Sequence, residues 1–489
     1  MGKYFKAFIA LVLVTPMTAW SLPIDWHGAF GVDSTLIDNY RRLESVVDNS
    51  SPTTGSQEVE LAAGKHANAS WQSYVFRLNP VLIVNDAASL KGEISSGYGR
   101  GGYLGDDNKK SNVSNPGASL YYYNQSTGTN DLVLNKFYME LYSDTATYQI
   151  GRHSYHWGLG ALYNSGDKLW DRHSFTRDGI TMNIKLGSFH IRPYWGKISQ
   201  GSGTTASFTR ATNSKEYGFS LLYDNPERDM SFGLLYGKKL ANAFNNDDTG
   251  PGATANTLGQ TDVKITDIYF SKTFGIFDFG IEVPLMGGEI GNVYTGTSQV
   301  KYKAKAFLLE SNLKVTDSWK FGLDAGQVSG DAGTQSSFDA MYLNPNYQIA
   351  NLLFRYNLRA VSRADGNRGN IYDSYITNAT YFKARAEYVG EKWSWNAAVI
   401  KAVANETADL GQTFYVHETN TYVSTGANTT QSDDMGIEID LGFNYKWNDE
   451  INIGGNFGYL MAGDYYSFTN STGVINSADN SMVLQINTG

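Results

Sequence analysis

The run from Gly151 to Asp178, GRHSYHWGLGALYNSGDKLWDRHSFTRD, concentrates side chains capable of chemistry. His153, His156 and His173 stand among Trp157, Trp170, Asp171, Arg172, Arg177 and Asp178. Two histidines three residues apart could hold a metal if the backbone turned there and a carboxylate such as Asp171 joined them. The same residues build a folded loop held by arginine–carboxylate bonds and indole packing, and we read the run that way, with no metal and no cofactor assigned. The seven histidines, at 27, 66, 153, 156, 173, 190 and 417, have no nucleophile-elbow motif beside them. Gly99-Arg100-Gly101-Gly102 is a lone glycine-rich turn, without the Gly-Lys of a phosphate-binding loop. With no cysteine, thiol catalysis, disulfides and cysteine-based metal sites are excluded. Nothing here makes an enzyme.

The remaining charges fall at every second position, opposite apolar residues. Ile180, Met182, Ile184 and Leu186 alternate with Thr181, Asn183 and Lys185; Ile437, Ile439, Leu441, Phe443, Tyr445 and Trp447 alternate with Glu438, Asp440, Asn444 and Lys446. Successive strand residues face opposite sides, so each segment predicts a strand with one apolar and one polar face. If the apolar faces meet lipid, the charges line a lumen, because a lipid-facing Lys or Arg at mid-depth costs about 2–4 kcal/mol. The expected pore-lining residues are Arg77, Lys136, Glu140, Lys185, Arg192, Asp278, Glu282, Lys301, Lys303, Lys305, Lys320, Lys383, Arg385, Glu438 and Asp440. Lys91, Glu93, His190, Asp324, Glu387 and Lys446 join them. Lys301, Lys303 and Lys305, with Lys320, Lys383 and Arg385 on the following strands, predict a basic wall facing Asp278, Glu282, Glu438 and Asp440. Such a wall would orient dipolar solutes. Simple pairing between neighbours is the alternative.

Connection lengths choose between a soluble sandwich and a membrane barrel. Short turns at 143–146, 187–188, 224–229, 275–276, 316–318, 390–392 and 448–450 alternate with long polar connections. The long ones run through 37–66, 101–130, 154–176, 240–261, 331–376, 405–433 and 462–480. Short periplasmic turns and long extracellular loops mark bacterial barrels. The expectation is an all-β, antiparallel, up-and-down transmembrane barrel of about 18 strands, with 16 as the alternative count. Residues 347–358 fit both strand and helix periodicity; parity leaves them in a loop folded inward.

Composition agrees. The 489 residues include 51 Gly, 33 Tyr, 24 Phe and 10 Trp, as aromatic girdles and tight turns require. A net charge of −9 argues against a nucleic-acid partner. Lys3 and Lys6, the apolar stretch from Ala7 to Val14 and Ala19-Trp20-Ser21 predict a cleaved signal peptide over 1–21. Residues 22–489 then form a single barrel domain, of formal charge −11 once those two lysines are subtracted from −9.

Gly151-Arg152, Trp157-Gly158-Leu159-Gly160, Tyr163-Asn164, Gly166-Asp167, Thr176-Arg177-Asp178 and Tyr223-Asp224-Asn225-Pro226 carry a resemblance to porin-like outer-membrane barrels of Gram-negative bacteria. The chain resembles those of predatory and myxobacteria-like lineages most, and alginate-export barrels more weakly. The resemblance implies residence in the bacterial outer membrane, contact with its lipid, passive permeation and assembly as a homo-oligomer. The leading expectation is a channel for ions and small polar solutes. The alternative is a structural or lipid-contacting barrel with a loop-filled lumen. Replacing Lys301, Lys303 and Lys305 by Glu separates pore-lining lysines from others: an unchanged reversal potential puts them outside the path.

Overall fold

The computed structural model describes residues 24–39, 43–45, 68–96, 100–104, 132–199, 214–241, 261–290, 294, 300–357, 371–417, 421–424, 426–427, 429–467 and 476–489. The predicted signal peptide lies outside these residues, as do much of the connections 37–66, 101–130 and 240–261.

Eighteen antiparallel strands close on themselves. In chain order they are β1 Ile24–Asp38, β2 Ala69–Asn85, β3 Ala88–Ser96, β4 Leu132–Tyr142, β5 Ala146–Ser154 and β6 Thr176–Leu186. Then come β7 Phe189–Ser199, β8 Ser214–Asn225, β9 Met230–Ala241, β10 Thr261–Phe274, β11 Phe277–Ile290 and β12 Val300–Lys314. The last six are β13 Trp319–Val328, β14 Ala379–Val389, β15 Trp393–Ala404, β16 Asp434–Lys446, β17 Asn452–Ala462 and β18 Ser481–Thr488. Each strand pairs with its sequence neighbours. β1 seals the barrel by pairing with β2, from Ile24 opposite Leu82 to Ile37 opposite Ala69, and with β18, from Val32 opposite Thr488 to Asp38 opposite Met482. Closure leaves the eighteen described barrel strands without an edge strand.

Tight turns end the strands at one rim. Gly187 and Gly275 take left-handed φ of 62° and 59°, as two-residue hairpins require, and glycine adopts that conformation without a Cβ penalty. At this rim the outward residues are aromatic: Phe189 packs on Tyr223, Phe277 on Phe279, Trp319 on Tyr388 and Trp393 on Tyr445. An aromatic belt suits a lipid–water interface, where one end of each ring is dry and the other wet. Above it the outer face carries Leu323, Phe382, Val399, Leu441 and Ile486, all exposed. Water would not tolerate so continuous an apolar surface, whereas hydrocarbon favours it.

The barrel is not empty. Residues 155–175, 329–357 and 371–378 turn inward from the other rim and bury Trp157, Tyr163, Met341, Leu343, Leu352 and Leu353. These pack with wall residues Ile265, Tyr302, Ala304, Leu308, Tyr381 and Ile400 into one apolar cluster. Residues 347–357 form neither strand nor helix and lie within this inner loop.

Candidate functional site

The lumen wall inherits its polar side from strand alternation. Register places Glu140 beside Gln149, Gln149 beside Thr181, Lys185 beside His190 and Asp324 beside Lys383, all on the inner face. Of the expected pore-lining residues, Arg77, Lys136, Glu140, Lys185, Arg192, Asp278, Glu282, Lys320, Lys383, Arg385, Glu438 and Asp440 share that face.

Lys301, Lys303 and Lys305 do not. Tyr302, Ala304, Ala306 and Leu308 occupy the inner face of β12 and are buried, and the three lysines between them project outward and are exposed. The expected basic wall is therefore absent from β12, and the reading of these lysines as pore-lining is corrected. The physical reason is that the inner face meets an apolar loop at this height, so the polar residues go outside. Tyr302 donates to the carbonyl of Ala340 within that loop (3.2 Å).

What remains on β13 and β14 is a mixed ladder. Arg385 binds Asp324 (2.9 Å), Glu387 (2.7 Å) and the amide oxygen of Asn312 (2.6 Å), and Lys320 reaches Glu387 (3.4 Å). Asn312 in turn donates to Asp278 (2.7 Å). Each charge faces its opposite, so the wall is nearly neutral over a few ångströms. On the other side, Glu140 is held by Lys91, Tyr142 and Gln149. Lys136 bridges Glu93 (3.1 Å) and Asp167 (3.6 Å).

Three wall carboxylates fix the inner loops through backbone N–H groups. Glu438 accepts from the amides of Asn351 (2.9 Å), Leu352 (2.6 Å) and Leu353 (2.7 Å), and Asp440 accepts from Asn351 (3.1 Å). Glu282 accepts from Leu159 (2.5 Å) and Ala161 (3.5 Å). Charged acceptors make stronger bonds than neutral ones, and they satisfy loop donors that would otherwise be buried unpaired. Arg77 does the converse, donating to the carbonyls of Gly166 and Lys168 (2.8 Å each). These expected lining residues thus serve as loop anchors.

Side chains outside the expected pore lining complete the anchoring, among them the arginine–carboxylate bonds expected of the histidine-rich run. Arg172 binds Asp33 and Ser73 (2.7 Å each) and lies over the Tyr372 ring, 4.4 Å from its centroid. Fully buried Arg177 binds Glu216 (2.9 Å) between the rings of Tyr155 and Tyr194. Glu216 was findable: it alternates with Tyr217, Phe219 and Leu221. Arg100, which binds Glu93 (2.7 Å), carried no such pattern.

The histidine-rich run is this first inner loop together with its flanking strands. His153 projects inward from β5, its ring nitrogens on the Gly151 carbonyl (3.0 Å) and the Thr181 hydroxyl (2.7 Å). His173 joins the two loops: its amide donates to Asn346 (3.2 Å), whose side chain donates back to the His173 carbonyl (2.7 Å). His173 also lies 3.4 Å from Asp373. Burial lowers the His173 pKa and the Asp373 charge opposes only part of that, and the same ring nitrogen lies 3.2 Å from the Tyr372 carbonyl oxygen. Burial also pushes the Tyr347 phenol well above its usual range. His156 and Asp171 belong to the same loop; His156 lies against Gly160, and Asp171 accepts from the Lys168 amide (3.0 Å).

A closed wall with an apolar outside, an aromatic rim and a charged inside defines an outer-membrane β-barrel. No family model matches the chain, and no curated protein matches it. Among solved structures it is similar to OccK11 (OpdR) of Pseudomonas aeruginosa, with 9% identity, 95% of each chain covered and a TM-score of 0.47. It is also similar to OpdL of the same organism, with 11% identity over 95% of this chain and 99% of that one, at a TM-score of 0.47. A BenF-like porin from Pseudomonas fluorescens Pf-5 has 9% identity over 95% and 98%, again at 0.47.

Proposed function

We propose that this barrel is a channel for passive diffusion of ions and small polar solutes across the outer membrane, narrowed by its two inner loops. One observation carries the reading: inward side chains near the tight-turn rim remain open to solvent inside a closed wall. Lys185 and Asn396 are exposed there, and Lys91, Lys320 and Glu387 are partly so. A dry structural core would leave no such charges wet. Asp167 and Lys168 form the exposed tip of the first loop, so opposite charges meet a solute at the narrow part. With both signs on every wall, ion selectivity is weak. With Lys301, Lys303 and Lys305 outside, the lining is too mixed to support the alginate-export comparison.

The second reading, a structural or lipid-contacting barrel with a loop-filled lumen, draws on the His173–Asn346 bonds that tie the loops together across the interior. Planar-bilayer recording separates the two. Stepwise conductance with a reversal potential near zero in a salt gradient supports the channel; purified, folded barrel that never conducts supports the filled lumen. The homo-oligomer implied by the family resemblance is read from native mass in detergent.

A further inference from the structure

We infer that the outer face of β9–β12, just beyond the apolar band, is a docking surface for the phosphorylated sugar head of an outer-leaflet lipid. Register aligns Lys238 with Lys264, Lys264 with Gly287, and Gly287 with Lys303 across four neighbouring strands. Lys301 and Lys305 flank Lys303 on the same face of β12. Lys264, Lys301, Lys303 and Lys305 are exposed and form no ion pair among the described residues. Lys238 pairs with Asp262 at 2.9 Å.

Two features distinguish this patch from a solvated row of charges. The first is a floor without a side chain: a Cβ added at Gly287 would meet nothing nearer than the Tyr302 carbonyl oxygen, at 3.9 Å. Lys264 and Lys303 border that gap from strands two steps apart, about 10 Å, a separation that two flexible ammonium groups can close around a phosphate. The second is continuity with the apolar band. Immediately below the lysines, the same outward rows carry Ile268, Leu285 and Phe307, all exposed. A lipid whose acyl chains lie on those rows brings its head to the lysines.

Charge complementarity selects an anionic head. The patch sets five lysines against Asp262 and Glu289 within a chain of net charge −9. Like-charged lysines side by side repel one another, and an anion removes that cost. Lys264 faces Lys238 directly.

The test is native mass spectrometry of the detergent-purified full barrel with a bis-phosphorylated diglucosamine lipid, its dephosphorylated counterpart, or inorganic phosphate. The wild-type chain is expected to retain the phosphorylated lipid and to prefer it over the dephosphorylated one. K264Q/K301Q/K303Q/K305Q should weaken retention about 600-fold, from roughly fivefold for each of the four lysines at a lipid surface. Lys392→Gln, in the turn after β14, should retain it fully. Gly287→Leu keeps every charge and closes the gap, so reduced binding there supports the site even if the quadruple variant fails to fold. Equal binding of both lipids, retention unaffected by either variant, or capture of inorganic phosphate alone overturns the proposal. So does a dimer mass lost in the quadruple variant, which would make the patch a contact between copies. Conductance is a separate readout, so failure of the channel reading leaves this result intact.

Discussion

The two halves of the barrel wall obey opposite rules on β12. Toward the tight-turn rim, its outward residues Phe307, Leu309 and Leu313 are apolar and its inward partners Glu310 and Asn312 are polar. Toward the other rim the order inverts: Lys301, Lys303 and Lys305 point out while Tyr302, Ala304, Ala306 and Leu308 are buried inside. Strand phase never changes. What changes is the medium on each side: lipid outside and water inside below, water outside and packed loop inside above. Polarity therefore reports the surroundings of a strand face, and inside or outside must be known separately.

Breaking the upper interior should cost most. Leu308→Ala removes an inner-face side chain from the loop–wall cluster, and a cavity of that kind destabilises by about 2–5 kcal/mol. Denaturant titration of the vesicle-folded barrel measures it. Placing a charge on the lower exterior comes next: Leu323→Arg, at an outward position 66% exposed, should cost about 2–4 kcal/mol by the same titration. Lys303→Leu, the opposite exchange on the upper exterior, should change stability by less than about 0.5 kcal/mol.

Glu438→Gln sharpens the contrast at the boundary. It leaves one acceptor oxygen where the Asn351, Leu352 and Leu353 amides converge, a loss of about 1–3 kcal/mol. Amide exchange over 351–353 should quicken and channel conductance rise. An acid response belongs to the upper loops. His417 is buried, and burial pushes its pKa down to about 3; its Nε2 accepts from the Asp331 amide (2.8 Å). The unfolded loop takes up a proton near pH 6.5 and the folded one resists until about 3. The stabilisation is thus complete above 6.5 and lost as pH falls toward 3. Hydrogen exchange at Asp331 should accelerate across that window, and His417→Gln should flatten the response.

Much of this was legible in the residues. All eighteen strands follow from alternation, most within a residue or two of their ends, because each crosses one interface between two media. β3 is described as far as Ser96, residues 97–99 lie outside the described residues, and Gly101–Tyr103 also pair with β2. The inner loops were less legible. Glu438 and Glu282 read as lining charges, since their partners are backbone amides, which every residue but proline has and no sequence pattern marks. The face of β12 was misread for the reason already given: charge was equated with lumen, which fails where a loop fills it.

The chain contains no cysteine, so single cysteines report position without background. The most direct test introduces Asn396→Cys, inward on β15, and separately Lys303→Cys, outward on β12, and applies a charged, membrane-impermeant thiol reagent during single-channel recording. Modification at 396 should reduce the current at once, while modification at 303 should proceed from the outer side and leave the current unchanged. A current insensitive to the reagent at 396, or blocked by it at 303, would contradict a wet lumen at Asn396 and an outward-facing Lys303.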